Sequence, residues 1–186
     1  MSEKLRVHRL IERARANGPG SRAVLWVQGC SLGCPGCFNP ETHTFHAGDL
    51  VSVDELSLRI ASIPGIEGVS ILGGEPLQQR RAVLSLLRTL RAESDLSVIL
   101  FTGFTLEEVR RMPEGGDVLG LVDVLIAGRY DETKRLARGL RGSTNKTVAF
   151  LTARYTDEDL EAVPACELTI GPGGTVTVNG MDPLRW

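Results

Sequence analysis

Three cysteines, Cys30, Cys34 and Cys37, fall within eight positions of a 186-residue chain, and this C-x3-C-x2-C spacing constrains the fold more than any other feature. Gly29, Gly33, Pro35 and Gly36 favour tight turns, so the three thiols are brought close on one loop. The apolar run 23–28 reads as a strand, taken here as the first, that delivers the chain into that loop. The opening Met1-Ser2-Glu3-Lys4-Leu5-Arg6 leads into an arginine-rich segment rather than an apolar signal core. Cysteines bunched in a chain without an export signal point to metal or redox chemistry, not to a disulfide framework. Cys166 stands far away in Pro164-Ala165-Cys166-Glu167-Leu168 with no companion motif, and it reads as a small buried residue outside the site.

The number of ligands matters. A structural zinc site closes with four protein ligands, whereas a cubane held by three cysteines leaves one iron open to a small molecule. His43 and His46 lie just downstream and could supply a fourth ligand to zinc, so a zinc-binding interaction domain stays open at this point.

Beyond the loop, strand-like and helical runs alternate. Residues 53–63 read as a helix with Ser52 as N-cap, Leu56, Ile60 and Ile63 on one face, and Pro64-Gly65 as its stop. A buried-strand candidate at 69–72 ends at Gly73-Gly74, and 78–91 is amphipathic, with Val83, Leu84, Leu87 and Leu90 facing inward. Strand 97–101, helix 106–111, strand 122–127, a basic loop and strand 147–151 follow. The fold class expected is α/β, a mostly parallel sheet with covering helices, either doubly wound or part of a barrel. A hairpin-like segment at 166–179, turning at Gly171-Pro172-Gly173-Gly174, suggests an antiparallel edge. Residues 1–186 read as one domain with a core of about 18–152. A formal net charge of −2 gives no broad basic surface to attract nucleic acid. No apolar run approaches a membrane span, and the reading is of a cytoplasmic protein without a membrane partner.

C-x3-C-x2-C after a strand, followed one strand–helix unit later by Gly73-Gly74-Glu75-Pro76, resembles the radical S-adenosylmethionine (SAM) superfamily. More narrowly, Asn17-Gly18-Pro19-Gly20-Ser21-Arg22, Val27-Gln28-Gly29-Cys30, Cys34-Pro35-Gly36-Cys37, Phe101-Thr102-Gly103-Phe104-Thr105 and Arg141-Gly142-Ser143-Thr144-Asn145 resemble activating enzymes of glycyl radical enzymes, nearest to the anaerobic ribonucleotide reductase activators. The resemblance implies a compact partial (β/α) barrel that holds a [4Fe-4S] cluster on Cys30, Cys34 and Cys37 and cleaves SAM to a 5′-deoxyadenosyl radical. It implies a glycyl radical enzyme as protein substrate and reduced flavodoxin or ferredoxin as electron donor. A different target, such as a precursor peptide or a nucleoside, remains the alternative.

Within that frame Gly73 and Gly74 permit close backbone approach, Glu75 accepts from the ligand's ammonium, and Pro76 fixes the turn. Thr102 offers a hydroxyl at a strand end, where open α/β sheets bind ligands. Arg129 offers its planar donor fork to the ligand carboxylate. Where the superfamily often carries an aromatic before the last cysteine this chain has Gly36, so Phe38 is the substitute for contact with adenine. Ala127-Gly128-Arg129 stands where the activators carry Asp-Gly-Lys, losing a carboxylate. Arg138, Arg141 and Lys146 read as a solvated basic stretch without a role. The glycines and proline of 18–22 suit a surface over which a substrate peptide threads.

Overall fold

In the computed structural model, which describes residues 3–181, the strands expected at 23–28, 69–72, 97–101 and 122–127 lie side by side. With Met1 and Ser2, residues 182–186 lie outside the described residues. The elements are β1 (Lys4–Ala14), β2 (Arg22–Val27), β3 (Asp49–Ser52), α1 (Val53–Ala61), β4 (Gly68–Gly73), α2 (Arg80–Glu93), β5 (Ser97–Thr102), α3 (Leu106–Arg111), α4 (Gly115–Leu119), β6 (Val124–Ala127), β7 (Arg135–Arg138), β8 (Arg141–Ser143), β9 (Thr147–Phe150), α5 (Asp157–Glu161), β10 (Cys166–Ile170) and β11 (Val176–Gly180). The main sheet runs β3-β1-β2-β4-β5-β6-β9. Its centre, β2-β4-β5-β6, is parallel, and these strands read as continuous apolar runs because both of their faces are covered.

Two corrections concern the flanks. The arginine-rich leader forms β1, antiparallel to β2 and to β3, so the cysteine loop follows the second strand of the chain, not the first. Strand β9 is antiparallel to β6. The sheet therefore stays open, with β3 and β9 at its two ends. The C-terminal hairpin β10–β11 forms a two-stranded sheet of its own rather than an edge of the main one. It is tied to the body by Arg15 N, which donates to Glu167 Oε2 at 2.8 Å, and by a hydrogen bond from Asn179 Nδ2 to Asn17 Oδ1. The basic loop likewise folds into the small antiparallel pair β7–β8.

The two faces of the sheet are covered differently. Helices α1 and α2 pack Leu56, Ile60, Val83, Leu87 and Leu90 against Leu25, Ile71, Val98 and Leu100, which makes the main core. Ser52 caps α1 by accepting from Glu55 N at 3.1 Å, and Thr105 and Glu108 form a capping box on α3. The opposite sheet face presents Ile99, Val124 and Ile126 to Leu140 and Leu160, and Val24, Trp26 and Leu72 to Ala14. On this face the space beyond Leu72, Phe101 and Leu140 opens into a cavity at the C-terminal ends of β4 and β5. Among the described residues no helix is long and apolar enough to cross a membrane.

Candidate functional site

The cysteine loop leaves β2 at Val27 and is held from behind by a buried amide. Gln28 Nε2 donates to Glu41 O at 3.1 Å and Thr44 O at 2.8 Å, while its Oε1 lies 2.8 Å from His8 Nδ1. Gln79 Nε2 adds a bond to Gln28 O at 2.9 Å. Gly29 N and Cys30 N donate to Thr42 O and His43 O at 2.8 and 3.0 Å, so both ends of the loop rest on one frame. Cys37 N donates to Cys34 O at 3.2 Å, closing the turn between those two cysteines.

The Gly-Gly-Glu-Pro segment is laid against the start of this loop. Gly74 N donates to Val27 O at 2.8 Å and Glu75 N to Gly29 O at 2.9 Å. The approach is so close that a Cβ on Gly74 would sit 2.4 Å from Gly29 O, and one on Gly73, whose φ is +110°, would sit 2.6 Å from Val27 O. Glu75 is 1% exposed, and its carboxylate accepts from Leu77 N at 2.9 Å, Thr102 Oγ1 at 2.7 Å and Gly103 N at 2.7 Å. A carboxylate has about four lone-pair positions, so one stays available toward the cavity that Glu75 lines. Burial pushes the Glu75 carboxyl up from its ordinary value, against the opposing pull of those three donors.

Of the residues singled out from sequence, Cys30, Cys34, Cys37, Phe38, Gly73, Gly74, Glu75 and Thr102 line this one cavity. Pro76 does not; it is buried at the start of the 3₁₀ turn Pro76–Gln79, which Glu75 caps. Arg129 does not either. Its Nη1 donates to Glu108 Oε2 at 2.6 Å and to Gly103 O at 3.3 Å, and its guanidinium lies 5.5 Å from the Phe104 ring. The hydrogen bond from Arg129 holds the exposed Glu108 carboxyl down at about 2. His43 lines the cavity, whereas the exposed His46 bonds through its backbone to Thr44 Oγ1.

Sequence reasoning missed Tyr130, Lys146 and Met181, which also line the cavity. Tyr130 packs on Phe38 with ring centroids 4.5 Å apart, and Gly142 makes room for that pair, because a Cβ there would sit 2.8 Å from Phe38 Cε2. The Arg-Gly-Ser-x-Asn segment carried the signal for Gly142. Nothing local marks Met181, which the hairpin brings back from the far end of the chain. Lys146 Nζ donates to Gly128 O, and burial lowers its pKa against the pull of Cys34 and Glu75.

The donor set fits a cubane. The three thiols are free, half-buried and arranged around one cavity. A [4Fe-4S] cluster takes its protein ligands on separate irons, so three thiols around one cavity match it and leave the fourth iron open. Burial raises the Cys30 and Cys37 thiols above the ordinary range, so a cluster that binds them as thiolates has to displace their protons.

Residues 16–149 match the family model described as a 4Fe-4S single cluster domain. The chain is 33% identical to the anaerobic ribonucleoside-triphosphate reductase-activating protein of Enterobacteria phage T4, across 70% of this chain and 84% of that protein. It is 32% identical to the protein of the same name from Escherichia coli K12, across 73% and 92% of the two chains. The Salmonella typhi protein of that name is 30% identical across 79% and 99%.

Proposed function

The chain belongs to the 4Fe-4S single cluster family and, within it, to the anaerobic ribonucleoside-triphosphate reductase-activating proteins, and from that premise we propose that it is a radical SAM enzyme that installs a glycyl radical on a partner reductase. The observation that carries the reading is the meeting of three cysteine thiols and a buried, nearly saturated glutamate on one cavity at the C-terminal ends of parallel strands. The membership also displaces the zinc-domain alternative that His43 had left open.

Cys30, Cys34 and Cys37 hold the cluster. When bound there, the reduced cluster supplies one electron and an open iron for the reductive cleavage of SAM to methionine and a 5′-deoxyadenosyl radical. Glu75 uses its remaining lone pair to accept from the ligand's ammonium group, a charge-assisted bond strengthened by burial. Thr102 donates to Glu75, so it acts as a positioning residue that fixes the carboxylate. Gly73 and Gly74 let the backbone approach the ligand, and Pro76 sets the turn that carries Glu75. Phe38, packed at a tilt against Tyr130, provides an aromatic wall for the adenine. Leu72, Phe101, Leu140 and Met181 keep water and competing hydrogens out of the cavity. Residues 1–186 act as one domain, with the partner completing the site around its glycine. The electron comes from reduced flavodoxin or ferredoxin in the cytoplasm, and neither nucleic acid nor membrane takes part.

The test mixes the reconstituted, reduced protein and SAM with an anaerobic ribonucleoside-triphosphate reductase whose glycines carry α-deuterium. The expected result is an organic radical signal on the reductase together with deuterium in the 5′-deoxyadenosine. Deoxyadenosine formed without deuterium and without a radical on the reductase would turn the reading toward another substrate, such as a peptide or nucleoside.

A further inference from the structure

The ligand's amino-acid end is a zwitterion, and an ammonium clamped by Glu75 leaves a carboxylate close by that needs a cation. The motif comparison put that cation at Arg129, but Arg129 is engaged outside the cavity by Glu108 and by Gly103 O. Resting on the radical SAM reading above, we infer that Lys146 has taken over this task and binds the carboxylate of SAM.

Three observations carry the inference. Among the described residues, Lys146 is the one lysine or arginine that lines the cavity. Its Nζ has three donors, and one goes to Gly128 O, which leaves two for a ligand. It shares the cavity wall with Glu75, Cys34 and Cys37, the residues that would hold the ammonium and the cluster.

The local backbone explains how the roles were exchanged. Lys146 holds Gly128 O while Asn145 Nδ2 donates to Arg129 O at 2.9 Å, so two successive residues before β9 pin two successive carbonyls after β6. That grip fixes the 128–129 backbone with the Arg129 side chain directed at Glu108, and it sets the Lys146 stem across the strand end into the cavity. A point-charge ammonium suits this position because its two remaining donors can rotate to meet an incoming carboxylate.

Decarboxylated SAM keeps adenosine, sulfonium and ammonium and lacks only the carboxylate. Dissociation constants for SAM and for decarboxylated SAM are measured by anaerobic equilibrium dialysis on protein with an oxidised, intact cluster, where no turnover occurs. The ratio of the two constants isolates the carboxylate, and the iron's share of that ratio is common to all variants. A charged hydrogen bond of ordinary strength makes K146M lose roughly 10- to 100-fold of the wild-type preference for SAM. K146Q loses a similar amount, K146R keeps a preference within about fivefold of wild type, and R129M stays within about twofold. A wild-type ratio in both K146M and K146Q overturns the inference, as does a collapse of the ratio in R129M. Wild-type protein with an intact cluster that binds neither ligand overturns the radical SAM reading itself, which separates the two failures.

Discussion

Replacing Gly74 with alanine tests how tightly the Gly-Gly-Glu-Pro segment and the cysteine loop are fitted together. The added Cβ would lie 2.4 Å from Gly29 O, 2.9 Å from Gly29 C and 3.0 Å from Gly29 N. All three are backbone atoms, so no rotamer change relieves the contact. The two strand ends must part by roughly 0.6 Å or more, straining the Gly74–Val27 and Glu75–Gly29 bonds, an overpacking that costs about 1–3 kcal/mol. Because Cys30 follows Gly29 directly and Glu75 follows Gly74, the same displacement moves Cys30 away from Glu75, the proposed cluster ligand from the proposed ammonium clamp. Misplacements of this size cost about 10²-fold in rate. Urea unfolding of the anaerobic protein reads the first quantity, and the initial rate of 5′-deoxyadenosine formation per cluster reads the second. Gly116→Ala is the control: it lies in α4 with nothing within 4 Å of its Cβ, and it should gain about 0.5–1 kcal/mol without touching the rate. A G74A protein with wild-type stability and wild-type rate would refute the close fit on which the site description rests.

Other perturbations reach the supports of the site. Arg22 is fully buried and donates to Ser70 Oγ, Ser97 Oγ, Tyr155 OH and the carbonyls of Pro19, Val69 and Ser97. R22M strands those carbonyls and should cost about 3 kcal/mol or more in denaturant unfolding, and a loss below about 1 kcal/mol would contradict the account. Gln28→Leu frees the 41–44 segment behind the cysteine loop, so a chelator should extract iron about tenfold faster; an unchanged extraction rate would show that the amide does not hold the loop. Burial opposes ionisation of Asp123, but Val98 N, Arg91 and Thr152 outweigh it and hold the carboxyl below its ordinary value. Its stabilising contribution is therefore full above the usual carboxylate range and fades as pH falls through the lowered value. The stability advantage of wild type over D123N, about 2 kcal/mol at neutral pH, should shrink across that acid window, and a difference independent of pH would contradict the assignment.

Much of this architecture is legible in the sequence because the parallel strands are buried on both faces, which writes them as uninterrupted apolar runs such as 69–72 and 97–101. Strand β1 is not legible for the opposite reason. It has a half-exposed pattern, and the irregularity between Val7 and Arg9 shifts its register, so Leu5 and Val7 do not continue in step to Leu10 and Ile11. Helix α4 starts at Gly115-Gly116 behind Glu114, whose φ is +63°, a combination that reads as a breaker. In the site, local motifs carry the cysteines and Glu75, since each is fixed by its neighbours in sequence. Arg129 and Lys146 differ because their directions depend on Glu108 and Gly128, partners that only the tertiary fold supplies. One basic side chain in a motif and another in a basic stretch look alike until those partners are known.

The most direct test is to purify the protein without oxygen, reconstitute it with iron and sulfide, add dithionite and SAM, and quantify 5′-deoxyadenosine beside a Cys30→Ala, Cys34→Ala, Cys37→Ala variant. The account predicts about four irons and four sulfides per chain and deoxyadenosine formation. Cluster and product are both lost in the variant. Stoichiometric zinc without a cluster, or an intact reducible cluster that leaves SAM uncleaved even with the partner reductase present, would contradict it.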